Sequence, residues 1–420
     1  MTTSVRRPAA PRRGQWCRAA VTTGVLASAG SSLACSDSAG GDCAPLAQGL
    51  TVVTSSGPGL WAETGREARL SELWRVGTAP GEDLAFPIGI APGPGGRIAV
   101  ADFSLGEVVV IEPDGTWTGT ATRAGEGPGE VRTPIAATWD AAGRLVAFDI
   151  IGAKVVFLDG ETNAAREDLP VTASLTSPVV ESGGLQGALV LPDGTTFVLP
   201  GPSGDRAAAG STPVESVLLR AAPGAAAADT VLRVVVQGVA PEGFDWVVPR
   251  GAHRALAAAG PDGTLVIGSA TGEYAVHIEN GTSGERLQLC RATEPLPLSA
   301  IERGDSVQAG SDPLVEAVAS LPAVEPAAYG RLIAGRNGVV WVQRERASVL
   351  SPRGNEGLHG VPGASYDVFD GSGEFLGTLQ APSDVHIQAI AGDTVWAFAF
   401  DSLNVPSVVA YRLELVDVEG

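Results

Sequence analysis

Phe86-Pro-Ile-Gly-Ile-Ala91, Gly96-Arg-Ile-Ala-Val-Ala-Asp102, Val108-Val-Val-Ile-Glu-Pro-Asp-Gly115 and Gly125-Glu-Gly-Pro-Gly-Glu130 follow one another along a single stretch of the chain. Three short apolar runs punctuated by Gly, Pro and Asp read as a small antiparallel sheet, too small to be stable alone. Moved along by 47 residues, the same stretch aligns Gly143-Arg-Leu-Val-Ala-Phe-Asp149 with the second run and Val155-Val-Phe-Leu-Asp159 with the third. One offset shared by two separate strands marks a structural repeat. The loop Gly77-Thr-Ala-Pro-Gly-Glu82 resembles Gly125–Glu130, and each is followed by a proline, Pro87 or Pro134. Both loops are expected at equivalent joints between repeats.

Looser copies keep the turn and the strand after it: Asp193-Gly-Thr-Thr-Phe-Val-Leu199, Asp262-Gly-Thr-Leu-Val-Ile-Gly268, Asn337-Gly-Val-Val-Trp-Val-Gln343 and Gly392-Asp-Thr-Val-Trp-Ala-Phe398. Asp-Gly and Asn-Gly are hairpin dipeptides because such turns need positive φ. Counting Gly96, Gly143, Gly194, Gly263, Gly338 and Gly392 gives six copies. A period of roughly 40–50 residues with several strands per unit predicts an all-β, six-bladed β-propeller. No helical periodicity separates the strands, which excludes a parallel β/α fold. The last copy ends with the chain, so the unpaired strand Glu72–Val76 should close the ring on the sixth blade. Thr51–Val53 and Leu60–Ala62 are expected to extend or cover that blade. Gly201–Ala228, rich in Ala, Gly and Pro, reads as a surface loop. Between Cys290 and Tyr329 the repeat breaks. Ser299-Ala-Ile-Glu302 is a capping box, and Asp312-Pro313 opens a stripe of Leu314, Ala317, Val318 and Leu321. They predict a helical insertion at about 295–330, between blades four and five.

The 420 residues are 44% hydrophobic and 5% aromatic, with 55 Gly and 30 Pro, as suits many short strands and turns. Residues 1–35 carry five arginines and no acid. The rest holds 23 basic against 47 acidic residues, a net charge of −24. That excludes nucleic acid and anionic lipid as partners, since both demand clustered Lys and Arg.

A basic segment, the small apolar run Ala19–Ala29 and Ser32-Leu-Ala-Cys35 have the layout of an export signal, with 36–49 as a flexible tether and 50–420 as the propeller. The signal's end resembles a bacterial lipobox, with Cys35 as the lipidated residue, although Ser32 stands where a large aliphatic residue is usual. Ala27-Ser-Ala29 is the rival cleavage site, which would release a secreted protein. With Cys17 removed and Cys35 acylated, Cys43 and Cys290 are left to pair as a disulfide or to stay as two free thiols.

The succession Gly-Arg-Ile-x-Val-Ala-Asp, Gly-Glu-Gly-Pro-Gly-Glu, Val339-Val-Trp-Val342 and Tyr329-Gly-Arg-Leu332 resembles bacterial six-bladed, NHL-like exported lipoproteins over about residues 50–415. The resemblance implies the fold and a cell-envelope address, lipid-anchored and facing the periplasm or exterior; it implies no particular reaction.

Catalytic motifs are not found in the sequence. His253, His277, His359 and His386 are far apart in no ligand spacing, and there is no nucleophile elbow, phosphate loop or paired-cysteine zinc motif. Glu126-Gly-Pro128 matches a tripeptide of six-bladed lactonases, but it belongs to the repeated joint. Asp102 and Asp149 end equivalent strands and read as turn caps, with a repeated metal ligand as the alternative. Trp341 and Trp396 fall in alternating strands and read as inter-blade core, whereas Trp117, Trp139 and Trp246 are placed near loops. Phe244 and Trp246, in the loop-like Pro241–Trp246, are the candidate binding rim. The expectation is a monomeric, non-enzymatic scaffold for a protein or glycan ligand, needing no cofactor. The alternative is a lactonase-type hydrolase or lyase with a divalent cation at the channel mouth.

Overall fold

The structure, a computed structural model, describes residues 50–162, 164–182, 185–201, 210–240, 248–249, 255–269, 273–293, 327–344 and 359–418. Its sheets make a six-bladed β-propeller. In blade one Pro87–Pro92, Ile98–Asp102, Glu107–Ile111 and Trp117–Thr120 pair in sequence order, from the inner strand outward. Blade two repeats this with Pro134–Trp139, Leu145–Asp149, Lys154–Leu158 and Ala165–Pro170. The inner strands of blades three to six are Leu185–Val190, Ala255–Ala259, Arg331–Ala334 and Val385–Ala391. The glycine after each inner strand has positive φ in all six blades: Gly96 87°, Gly143 77°, Gly194 83°, Gly263 82°, Gly338 80° and Gly392 63°. The repeat seen in the sequence is therefore one backbone conformation made six times.

Buried side chains gather at the seams between neighbouring blades. Ile98, Val100 and Ile111 meet Trp396, Phe398 and Val408 at the seam of blades one and six. Trp341 and Tyr366 meet Ile387 and Val395 at the seam of five and six. Both Trp341 and Trp396 thus belong to the core as read. Trp139 ends its strand beside a turn, as read, but is no rim residue: it is 3% exposed, and its indole N–H donates to Ala91 O at 3.1 Å across the seam of blades one and two. The polar indole edge is satisfied by a neighbouring strand, which the sequence could not reveal.

The fourth strand of blade six comes from the other end of the chain. Arg66–Val76 runs antiparallel to Pro406–Asp417, with Arg66 opposite Asp417 and Val76 opposite Val408. The residues upstream do not cover blade six. Thr51–Ser55 adds a parallel fifth strand to blade four, with Thr54 opposite Cys290. Leu60–Glu63 is a helical turn against blade five. A Cβ at Gly377 would lie 2.6 Å from the Trp61 ring, so the missing side chain opens the slot that Trp61 fills. The N-terminal segment is thus a strap across three successive blades.

Gly201–Ala228 is also not a loop throughout. Gly210–Ala221 and Asp229–Ala240 form a long hairpin in blade three, because Leu218 and Val234 take core positions despite the surrounding Ala and Gly. Helix Ala173–Ser182 links blades two and three and was not foreseen; it contains Pro178 and has weak amphipathic patterning. The helical insertion lies outside the described residues from 294 to 326. Tyr329, at its exit, is fully buried and donates its hydroxyl to Ala275 O at 2.8 Å.

Asp102 and Asp149 show why the repeat ends in aspartate. The Asp102 carboxylate accepts the N–H groups of Ala85 (2.8 Å) and Phe86 (3.1 Å), which lead into the inner strand. It also accepts those of Ser104 (3.1 Å) and Leu105 (3.0 Å) in the next turn. Asp149 accepts Arg132 (2.8 Å), Thr133 (3.1 Å) and Gly152 (2.9 Å). Both carboxylates are fully buried, and each pins a joint to a turn. Asp102→Ala should cost about 2–3 kcal/mol, because several buried donors lose their acceptor together. Urea unfolding of the variant checks this, and a loss below about 0.5 kcal/mol would show that water replaces the carboxylate.

Candidate functional site

Alternation of direction along each blade sends the inner strands away from one face. The turns between second and third strands, and all connections from one blade to the next, lie at that same face, here called the loop face. The joints Gly77–Glu82 and Gly125–Glu130 occur there at equivalent places. In each, a glutamate closes the loop on a glycine N–H: Glu82 on Gly77 at 3.1 Å and Glu130 on Gly127 at 2.8 Å. Glu126 points outward and pairs with Arg132 at 2.8 Å, its side chain 77% exposed. Its tripeptide is joint architecture.

The inner strands surround a central cavity of about 200 Å³. Ile88, Ile90, Ile135, Leu332 and a run of alanines, Ala255 and Ala257–Ala259, supply apolar wall. Polar side chains line it too: Gln186 and Arg331 near the starts of the inner strands of blades three and five, Gln343 at the end of the strand paired with Arg331, and Gln388 within the inner strand of blade six. Thr138 lies farther along. Among the described residues lining the cavity, Arg331 carries the only charge.

Arg331 is clamped from two directions. Its Nη1 donates to the carbonyl of His359 and to that of Ile387 at 3.2 Å, and Nη2 donates to Gln388 Oε1 at 2.7 Å. Gln388 is held in turn, donating Nε2 to His359 O at 3.0 Å and His386 O at 3.1 Å. Gly360, at φ 86°, brings its backbone so close that a Cβ would lie 2.5 Å from Gln343 Oε1 and 3.1 Å from Arg331 Nη1. Among the described residues Arg331 forms no ion pair. Burial pushes its pKa below the ordinary arginine value, with only the Tyr366 phenol opposing. Gln186 Oε1 is buried without a hydrogen-bond partner.

Two histidines that are distant in sequence meet behind this collar. His359 and His386 have ring centroids 6.1 Å apart. His359 also packs on Phe86 at 5.8 Å and on Phe398 and Phe400 at 5.3 Å each. It is fully buried, and neither ring nitrogen has a partner. Burial, then Arg331 and His386, lower its pKa to about 3. The sequence reading of four separated histidines fails here because a turn of blade five folds over the inner strand of blade six. Such a neutral imidazole among phenyl rings is a packing element. Among the described residues no three His, Cys, Asp or Glu side chains gather as a metal site.

Cys290 is disulfide-bonded and 1% exposed. Cys17, Cys35 and Cys43 lie outside the described residues, as do His253, Phe244 and Trp246. Phe244 and Trp246 fall between two paired strands of blade three, Asp229–Ala240 and the short Val248–Pro249. No described helix is long and apolar enough to cross a membrane.

The chain matches no protein-family model and no curated protein sequence. Among solved structures, it is similar to a protein of Bacteroides fragilis described as exported, at 12% identity and TM-score 0.44, covering 87% of this chain and 100% of the other. A Xanthomonas campestris gluconolactonase aligns at 14% identity and TM-score 0.42, covering 87% and 98%. A Bacteroides vulgatus member of the DUF4221 family aligns at 10% identity and TM-score 0.46, covering 84% and 99%.

Proposed function

We propose that this protein is an exported, monomeric, membrane-tethered propeller that acts as a non-enzymatic binding scaffold, with the loop face as its working face. The observation that carries the reading is the channel mouth. A clamped guanidinium and three glutamine amides are assembled there from different blades, an arrangement suited to holding a ligand. A lactonase-type centre needs instead a collar of carboxylates around a cation.

The surroundings agree. Phe103, Leu105, Ile151, Leu403 and Val405 are exposed, and all lie in turns at the loop face of the adjacent blades six, one and two. Exposed apolar side chains sharing one face suit a protein or glycan partner. Phe244 and Trp246 would add aromatic surface to the same rim. The export signal delivers the chain to the envelope, and Cys35 carries the lipid. A bond from Cys43 to Cys290 would tie the root of the tether to blade four, beside the strand Thr51–Ser55.

Elemental analysis of the purified full-length protein, with assays of lactone hydrolysis, tests the scaffold reading: a stoichiometric divalent cation together with turnover would overturn it. Cys35→Ala should move the protein from the membrane to the soluble fraction. Unchanged membrane association would sink the anchor.

A further inference from the structure

We propose that Arg331 is the anchoring residue for a small monocarboxylate that enters the channel from the loop face. This rests on the loop face being the binding face and gives that face a chemically defined ligand.

The argument begins with donors. A guanidinium has five N–H groups. Among the described residues three of them are used in Arg331, both on Nη1 and one on Nη2, which leaves Nε–H and one Nη2–H. Nε and Nη2 form the side edge of the guanidinium, which is matched to the two oxygens of a carboxylate. Holding the other donors on backbone carbonyls and on Gln388 fixes the plane of the group before any ligand arrives, so little side-chain entropy is lost on binding. Among the described residues no carboxylate pairs with Arg331, and the cavity wall offers no acidic side chain. A cation held inside a channel, away from bulk water, gains most from an incoming anion.

The rest of the cavity narrows the class. A single guanidinium suits a singly charged ligand. The Ile88 and Ile135 walls suit a short carbon skeleton, and about 200 Å³ admits only a small molecule.

Calorimetric titration of the full-length protein with lactate, its neutral amide lactamide and sulfate tests the assignment. The expected result is saturable binding of lactate at one site, with lactamide and sulfate at least about 10-fold weaker. Arg331→Met should weaken lactate about 10- to 100-fold, the loss of charge-assisted hydrogen bonds. Arg331→Lys serves as the second variant if the methionine protein fails to fold, and it should recover part of the affinity. Equal binding of lactate and lactamide, equal binding of sulfate, unchanged affinity in Arg331→Met, or no saturable heat with lactate would each overturn the proposal. A purely structural role for Arg331 would leave wild-type discrimination between lactate and lactamide absent. Failure here without metal or turnover leaves the scaffold reading standing, whereas metal-dependent turnover removes that reading itself.

Discussion

Asp367→Asn should destabilise the protein by about 3–5 kcal/mol, the usual cost of removing one member of a buried ionic network. The Asp367 side chain is 3% exposed and lies 3.4 Å from Arg291 Nε and 3.2 Å from Arg344 Nη1. It also accepts the Tyr274 hydroxyl at 3.2 Å and Thr378 Oγ1 at 2.9 Å. Burial, and then the Asp367 charge, raise the Tyr274 pKa well above its ordinary value, so the phenol stays a donor. Asparagine keeps the shape and removes the negative charge that both guanidinium groups share. The damage spreads because Tyr274 and Arg291 belong to blade four and the rest to blade five. Arg291 also stacks on Phe375 at 3.5 Å and reaches Gly57 O of the N-terminal strap at 3.2 Å. Urea unfolding at neutral pH reads the loss. Thr378→Val, which removes one hydrogen bond, should cost only about 1 kcal/mol. If the two variants lose the same small amount, the ionic network is not what joins the blades.

Acid should weaken the fold through His359. Its pKa is about 3 in the folded protein, held down first by burial and then by Arg331 and His386. In the unfolded chain the ordinary value is about 6.5. The folded state therefore excludes a proton that the unfolded state takes up as pH falls below about 6.5. The stability contributed by neutral His359 is complete above that value and is lost progressively towards pH 3. Between pH 6.5 and 5 this amounts to about 2 kcal/mol, and over the whole window to an order of 4–5 kcal/mol. Phe86, Phe398, Phe400 and His386 pack against the ring, and none supplies a carboxylate to accept the charge. His359→Phe should flatten the fall in stability between pH 6.5 and 5 by that 2 kcal/mol. His277, partly buried and also lowered in pKa by burial, leaves a smaller acid response in the variant. Parallel stability curves for the two proteins would show that His359 ionises without opening the fold.

The architecture was legible because it is periodic. The 47-residue offset seen in sequence returns as hydrogen bonding: Ala85 and Phe86 on Asp102 correspond to Arg132 and Thr133 on Asp149. The glycine turns are equally local, since a positive φ needs no distant partner to favour glycine. Elements without a repeat to calibrate them went astray. The strap from Thr51 to Glu63 crosses blades four and five because a parallel edge and the slot at Gly377 receive it there. Trp139 lies beside a turn as read, yet is core.

The sequence by itself determined the six-bladed sheet pattern, the glycine turns that repeat in every blade and the aspartates that cap equivalent strands of blades one and two, because each is written in neighbouring residues. Only the tertiary structure decided the candidate site. Gln186, Arg331, Gln343 and Gln388 share no spacing, and the motif Tyr329-Gly-Arg-Leu332 did not mark its arginine as a site residue. They meet because ring closure brings strands from separate blades around one axis, where three glutamine amides and a guanidinium become a single environment.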